Sequence, residues 1–231
     1  MKTYHWLFFD LDNTLLDFDQ SEANALRNSL LAHGIEPTED VLASYHHINR
    51  ACWTAFEKGQ LRQDLLNDLR FERFVADIGS PVDHSTLSRY YLQQLVECRF
   101  PVLGAFELLR RLQGKYRLGV VTNGLKAVQR PRLHKNDMVS YFDSITVSEE
   151  IGVSKPHAAF FDHAFQVSGQ PHRSEVLMIG DSLSSDIQGG ADYGLDTCWF
   201  NPKGKARSGA VVPTFEIRGL GELWGVLNGE R

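Results

Sequence analysis

Trp6-Leu7-Phe8-Phe9-Asp10-Leu11-Asp12-Asn13-Thr14-Leu15 is the one strongly apolar run near the N-terminus, and two aspartates one residue apart close it. A short continuous apolar run bounded by turn residues reads as a strand buried on both faces. It delivers Asp10 and Asp12 to one place, where the chain must turn. Two carboxylates a few ångströms apart raise each other's pKa, so the end of a buried strand is a poor store for them alone. A cation should be bound there, which points to a divalent metal and to chemistry on an anion. The plainer alternative is a strand-to-helix connection, because Asp and Asn are favoured in turns and at helix N-caps.

Outward from this run the chain has two textures. Residues 18–100 are helical in pattern, with amphipathic stretches at 23–32, 40–56, 61–78 and 85–96, punctuated by Gly34, Pro37, Gly59, Gly79 and Pro81. From Pro101 onward, β-branched apolar runs at 117–122, 144–147, 176–180 and 197–200 alternate with helical segments at 105–112, 125–135, 158–167 and 183–193. Alternation of this kind means βαβ units and a parallel sheet covered on both faces. The fold class expected is α/β, a Rossmann-like parallel sheet with an all-helical domain inserted after its first strand. The expected domains are 1–17 with 101–231 for the core and 18–100 for the insert.

In an open parallel sheet, ligands sit beyond the carboxyl ends of the strands. The first strand ends in Asp10 and Asp12. The second ends in Thr122-Asn123-Gly124, just before a helix, where a hydroxyl and backbone N–H groups can hold a phosphate. Another ends in Gly180-Asp181, with Asp186 at the start of the next helix, and Ser154-Lys155-Pro156 lies between them. Singly, each has an ordinary explanation as a turn, a cap or a surface lysine. Four in order, each at the same end of the sheet, do not.

The set D-L-D-N-T, V-V-T-N-G, S-K-P and G-D-S-L-S-S-D resembles the four motifs of the haloacid dehalogenase superfamily, in its phosphatase branch. The insert resembles that superfamily's helical cap. The resemblance implies Asp10 as nucleophile, forming an aspartyl-phosphate, and Asp12 as general acid and then base. It implies Mg²⁺ held by the Asp10 and Asp181 side chains and the Asp12 main-chain carbonyl, with Asp186 behind them; Mn²⁺ or Co²⁺ could substitute. Thr122, Asn123, Gly124 and Lys155 would hold the phosphoryl oxygens. The dehalogenase branch lacks the second aspartate, so Asp12 argues for phosphoester chemistry.

The insert is too long for a simple connection and reads as a lid with hinges at 18–20 and 100–104. Its stretch from Asn49 through Trp53 to Gly59, then Arg70-Phe71, followed by V-S-E-E-I-G-V-S-K-P, is similar to the bacterial pyrimidine 5′-nucleotidases. Asn49, Trp53 and Arg70 are thus the candidate substrate contacts, beside Tyr45, His46, Phe56 and Phe74; the plainer reading of the aromatics is cap core. Pro131, inside the helix after Thr122, should bend or restart it. The rival readings are a sugar-phosphate phosphatase of acylneuraminate 9-phosphate or phosphoglycolate type, a phosphosugar mutase, and a non-catalytic phospholigand-binding protein.

A formal charge of -5 and a pI near 6.0 argue against nucleic-acid polymers and anionic membranes as partners and leave a small phosphorylated metabolite. Cys52, Cys98 and Cys198 are odd in number and form no C-x-x-C pair, so neither zinc nor disulfides are expected. No signal-peptide pattern or membrane-length apolar stretch is present, and the expected location is cytoplasmic. Nothing in the sequence sets the oligomeric state. The basic loop at 203–209 reads as a solvated turn.

Overall fold

The computed structural model describes residues 3–207 and 209–229. Residues 1–2 and 230–231 of the expected core, and Ser208 of the basic loop, lie outside the described residues. The chain separates into two compact units, one of residues 1–19 and 99–231, the other of residues 20–98.

Six strands, β1 (Trp6–Phe9), β2 (Arg117–Thr122), β3 (Ser144–Val147), β4 (Val176–Gly180), β5 (Asp196–Phe200) and β6 (Phe215–Ile217), form one sheet in the order β3-β2-β1-β4-β5-β6. All pairings are parallel. Side chains alternate between the two faces. Leu7 and Phe9 of β1 join Leu118, Val120, Leu177 and Ile179 in one buried cluster, while Trp6 and Phe8 join Val121, Val176 and Met178 in the other. Both faces therefore need cover, which is why these strands are apolar throughout rather than alternating.

Helices α1 (Phe18–Ala32), α2 (Glu39–Glu57), α3 (Gln63–Asp77) and α4 (His84–Glu97) follow β1. Thr38 and Asp83 accept from Val41 N and Thr86 N and cap α2 and α4. In the helical unit Tyr45, Phe71, Phe74 and Tyr91 pack ring on ring, with Tyr91 and Phe71 centroids 5.1 Å apart. Arg70 lies buried among them. Its Nη1 donates to Asn49 Oδ1 at 2.8 Å and its Nη2 to Asn67 Oδ1 at 2.5 Å, and Asn49 Nδ2 donates to Glu22 Oε1 at 2.7 Å. Asn49 and Arg70 thus direct these groups into the unit's own interior. Trp53 is half-buried, edge-to-face with Phe56.

In the sheet unit, α5 (Ala105–Leu112), α6 (Lys126–Lys135), α7 (Ser148–Ile151), α8 (Ala158–Val167) and α9 (Gly189–Asp192) lie between the strands, and α10 (Glu222–Leu227) follows the last of them. Leu108, Leu109, Leu133 and Leu223 cover one face, and Phe160, Phe161 and Phe165 the other. The three cysteines are buried, and no disulfide forms among the described residues. No helix among the described residues is long and apolar enough to cross a membrane.

Three sequence expectations need correction. β6 was not foreseen; it is three residues long with the exposed Glu216 at its centre. The single helix expected at 183–193 is a π-helical turn, Leu183–Gln188, followed by the short α9, and such turns concentrate at functional sites. α6 runs unbroken through Pro131. The proline removes one backbone donor, while Gln129 before it and Arg132 after it are anchored by the side-chain bonds described below.

Candidate active site

β1 is the point where strand order reverses, with β2 to one side and β4 to the other. In parallel sheets a crevice opens there, beyond the carboxyl ends of the strands. Phe9 stands level with Val120 and Ile179, and Asp10 N extends the ladder to Ile179 O at 2.9 Å. Asp10, Thr122 and Asp181 therefore leave the sheet at neighbouring levels.

The loop after Asp10 is fixed from within. Asn13 adopts a left-handed conformation (φ 59°), which a short amide side chain tolerates. Its Oδ1 accepts from Phe18 N at 2.9 Å and Asp19 N at 3.1 Å, satisfying the first turn of α1.

Lys155 is the centre of the buried charge. Its Nζ donates to Asp10 Oδ1 at 2.8 Å, Asp186 Oδ1 at 2.7 Å and Val121 O at 2.7 Å, so all three ammonium protons are placed. Asn123 sets its backbone: Nδ2 donates to Lys155 O and Oδ1 accepts from Lys155 N, both at 2.9 Å. Asp186 is fully buried, and its second oxygen accepts from Ser182 N at 3.0 Å. Gly180 has no side chain because Asp186 lies directly on its Cα; a Cβ there would overlap the Asp186 carboxylate.

Burial holds the Asp10 carboxyl well above the usual carboxylate range; Lys155 pulls it down, and Asp186, Asp181 and Asp12 push it up. Asp181 is pushed up to about 7, by burial first and then by the charge of Asp186. Burial works against the Lys155 ammonium, but Asp10 and Asp186 outweigh it and raise its pKa. One carboxylate oxygen from each of Asp10, Asp181 and Asp186 lies within 4.8 Å of the other two. These oxygens, with two of the carboxyls resisting ionisation, suit a hard divalent cation. Asp181 and Ser182 also line a cavity of about 630 Å³ shared with Trp199 and Lys205. Lys205 belongs to the loop read from sequence as a solvated turn, and its charge opposes the rise of the Asp181 pKa.

Thr122 Oγ1 accepts from Gln129 Nε2 at 2.8 Å, which leaves its own proton for an acceptor. Gly124 N donates to Ser148 Oγ at 3.0 Å. Asp12 meets two residues of α6, Gln129 at 2.7 Å and Arg132 at 2.5 Å. The structure thus gathers Asp10, Lys155, Asp181 and Asp186, sets Asp12 and Thr122 on a shared glutamine, and uses the Asn123 side chain as a brace. Sequence reasoning missed Gln129, Arg132, Ser182 and Lys205. The one available signal was that Gln129 and Arg132 share a helix face just after the Thr122 motif.

Known proteins agree with this geometry. The haloacid dehalogenase-like hydrolase family matches residues 4–194. The HAD-hydrolase YfnB of Bacillus subtilis is 40% identical over 99% of this chain and 97% of its own length. Its magnesium-bound crystal structure superposes with a TM-score of 0.92 over 98% of this chain and 100% of that one. The pyrimidine 5′-nucleotidase YjjG of Escherichia coli is 34% identical over 95% of this chain and 96% of its own. The pyrimidine 5′-nucleotidase PynA of Streptococcus pneumoniae is 35% identical, over 95% and 93%. This chain belongs to the haloacid dehalogenase-like hydrolase family and is a phosphatase of it.

Proposed function

We propose that this phosphatase hydrolyses pyrimidine nucleoside 5′-monophosphates, with Asp10 as nucleophile and Mg²⁺ as cofactor. The observation that carries the mechanism is the pairing of Asp10 with a fully enclosed Lys155 while Asp12, two residues on, is bonded by a separate set of groups. Two carboxylates in different surroundings suit two different tasks. The substrate class follows YjjG and PynA, which match nearly the whole chain.

An Asp10 oxygen attacks phosphorus, and the bond from phosphorus to the ribose 5′-oxygen breaks as Asp12 gives that oxygen its proton. Water then attacks the phosphoaspartate at phosphorus. Asp12 takes a proton from that water, and the bond to Asp10 breaks to release phosphate. The Thr122 hydroxyl would hold a phosphoryl oxygen as charge spreads over it, and Lys155, whose protons rest on Asp10, Asp186 and Val121, would reach one by sharing its bond to Asp10. Asp10, Asp181 and the Asp12 carbonyl would hold Mg²⁺, or Mn²⁺ or Co²⁺ in its place, which offsets the charge between Asp10 and the phosphate.

Phosphate release from UMP, dTMP, AMP and a set of sugar phosphates, with Mg²⁺ and with chelator, tests this directly. Metal-dependent preference for UMP and dTMP is the expected result. Preference for sugar phosphates removes the substrate assignment, and equal release in chelator removes the metal.

The Asp181 pKa sets a pH signature. The unfolded chain releases this proton near 3.8 and the folded, metal-free protein near 7. The folded state then binds more protons across that window, so metal-free stability falls as pH rises through it. Mg²⁺ must displace the proton, so its affinity should weaken about tenfold per pH unit below 7. Melting temperatures from pH 5 to 8, with and without Mg²⁺, should diverge as pH rises; parallel curves would contradict the assignment of Asp181.

A further inference from the structure

We propose that Gln129 and Arg132 are positioning residues that clamp the Asp12 carboxylate and couple it to the Thr122 hydroxyl. The inference rests on the assignment of Asp12 as the acid and base. Gln129 Nε2 donates one proton to Asp12 Oδ2 at 2.7 Å and the other to Thr122 Oγ1 at 2.8 Å. Arg132 Nη1 donates to Asp12 Oδ1 at 2.5 Å and to Gln129 Oε1 at 2.9 Å. Each Asp12 oxygen thus has its own donor, and the two donors are bonded to each other.

The amide can stand only one way round. Turned over, Gln129 Oε1 would face the Asp12 carboxylate and Nε2 would face the guanidinium, and both contacts would be repulsive. Burial removes competing water: Gln129 is 2% exposed and Arg132 0%. Gly124 carries the same message, since a Cβ there would lie 2.8 Å from Gln129 Nε2 and 2.9 Å from its Cδ. Glycine at that position makes room for the amide to lie flat across the chain. On the other side Asn13 pins the backbone beyond Asp12, so side-chain rotation is the freedom left for the clamp to set.

Arg132 is an expensive choice if stability were its purpose. A buried guanidinium is tolerated when its whole fork is paired, yet Arg132 Nε and Nη2 have no partner among the described residues, and its Cζ sits 5.5 Å from the Phe18 ring centroid. Nη1 alone reaches the site. Its two hydrogen bonds go to the carboxylate and to the amide that shares it.

The test uses leaving groups. p-Nitrophenolate departs without a proton, whereas the 5′-oxygen of UMP needs one, and kcat/KM covers only the steps through cleavage of that ester bond. Gln129→Met and Arg132→Met should each lower kcat/KM for UMP by about 10²-fold, in the range of lost general-acid catalysis. The same constant for p-nitrophenyl phosphate should fall several-fold less, and circular dichroism with thermal melting checks that each variant is folded. Arg132→Lys, which keeps a donor, should recover part of the loss. Asp12→Asn should show the same selectivity, and adding Gln129→Met to it should cause no further loss, because the residues act as one unit. Equal losses on both esters, or undiminished UMP turnover in Gln129→Met, would overturn the clamp. If Asp12→Asn is itself unselective, the acid assignment fails and the clamp falls with it. Should Arg132→Met not fold, Gln129→Met decides alone.

Discussion

Asp10→Asn should stop phosphate release, by at least about 10⁴-fold, as loss of a nucleophile does in enzymes that work through a covalent intermediate. The amide keeps the shape of the side chain, and its oxygen can still accept from Lys155 Nζ, which stands 2.8 Å from Asp10 Oδ1. It cannot form an acyl phosphate. The same change removes a charge that burial already disfavours, since the Asp10 carboxyl sits well above the usual carboxylate range. Melting temperature in metal-free buffer should therefore hold or rise while activity vanishes. Calorimetry beside phosphate release checks both halves. A variant that loses activity only by unfolding would contradict the role given to Asp10.

Lys155→Met has the opposite balance: it should damage stability as well as activity. Methionine fills a similar volume, but Asp10 Oδ1, Asp186 Oδ1 and Val121 O all lose their donor. Removing one partner of a buried ionic cluster costs about 3–5 kcal/mol, because the remaining charges have no compensation. The cost depends on pH. Without the ammonium the Asp10 carboxyl rises further above its unfolded value, so the folded variant takes up protons that the unfolded chain has released. The deficit against wild type should be small in acid and grow as pH rises above the usual carboxylate range, where the wild-type Asp10 releases its proton and the variant retains it. Denaturant titrations at pH 4.5 and pH 8 measure it. A deficit that does not change with pH would place the damage in packing rather than in charge. Turnover should fall by about 10²–10³-fold with loss of a preorganised cation at the phosphoryl group.

Much of the core was legible because a parallel sheet covered on both faces leaves an unmistakable trace. β1 and β4 are apolar at every position, and β2 carries a single exposed residue at its start. Where that trace shortens, reading fails: β6 has one fully buried residue, Ile217, in three. The break of the 183–193 helix was hidden for a different reason. The local pattern favours one continuous helix, but Asp186 must reach Lys155 and Ser182 N while lying against Gly180, a tertiary demand that local periodicity does not record.

The candidate site divides in the same way. Asp10, Asp12, Asp181 and Lys155 announce themselves by position at strand ends and by motif. The backbone amide of Asn123 was read as part of a phosphate cradle; its side chain, which that reading did not address, braces a lysine 32 residues away. Gln129 and Arg132 lie 117 and 120 residues from the carboxylate they hold. Only the parallel pairing of β1 with β2, with α6 following directly, brings them together. Asn49 and Arg70 were read as candidate substrate contacts from their helical spacing and from the similarity of the stretch around them to the bacterial pyrimidine 5′-nucleotidases. Here Glu22, Asn49, Arg70 and Asn67 form a chain of hydrogen bonds inside the helical unit.

The most direct test of the account is trapping of the phosphoenzyme. Asp12→Asn lacks the base for the second step, while p-nitrophenyl phosphate needs no acid in the first. Acid quenching after this variant meets ³²P-labelled p-nitrophenyl phosphate with Mg²⁺ should capture about one phosphoryl group per chain, preceded by a matching burst of nitrophenolate. The label should be hydroxylamine-sensitive and map to the peptide containing Asp10. Nitrophenolate release without bound phosphate, or label on another residue, would contradict the account.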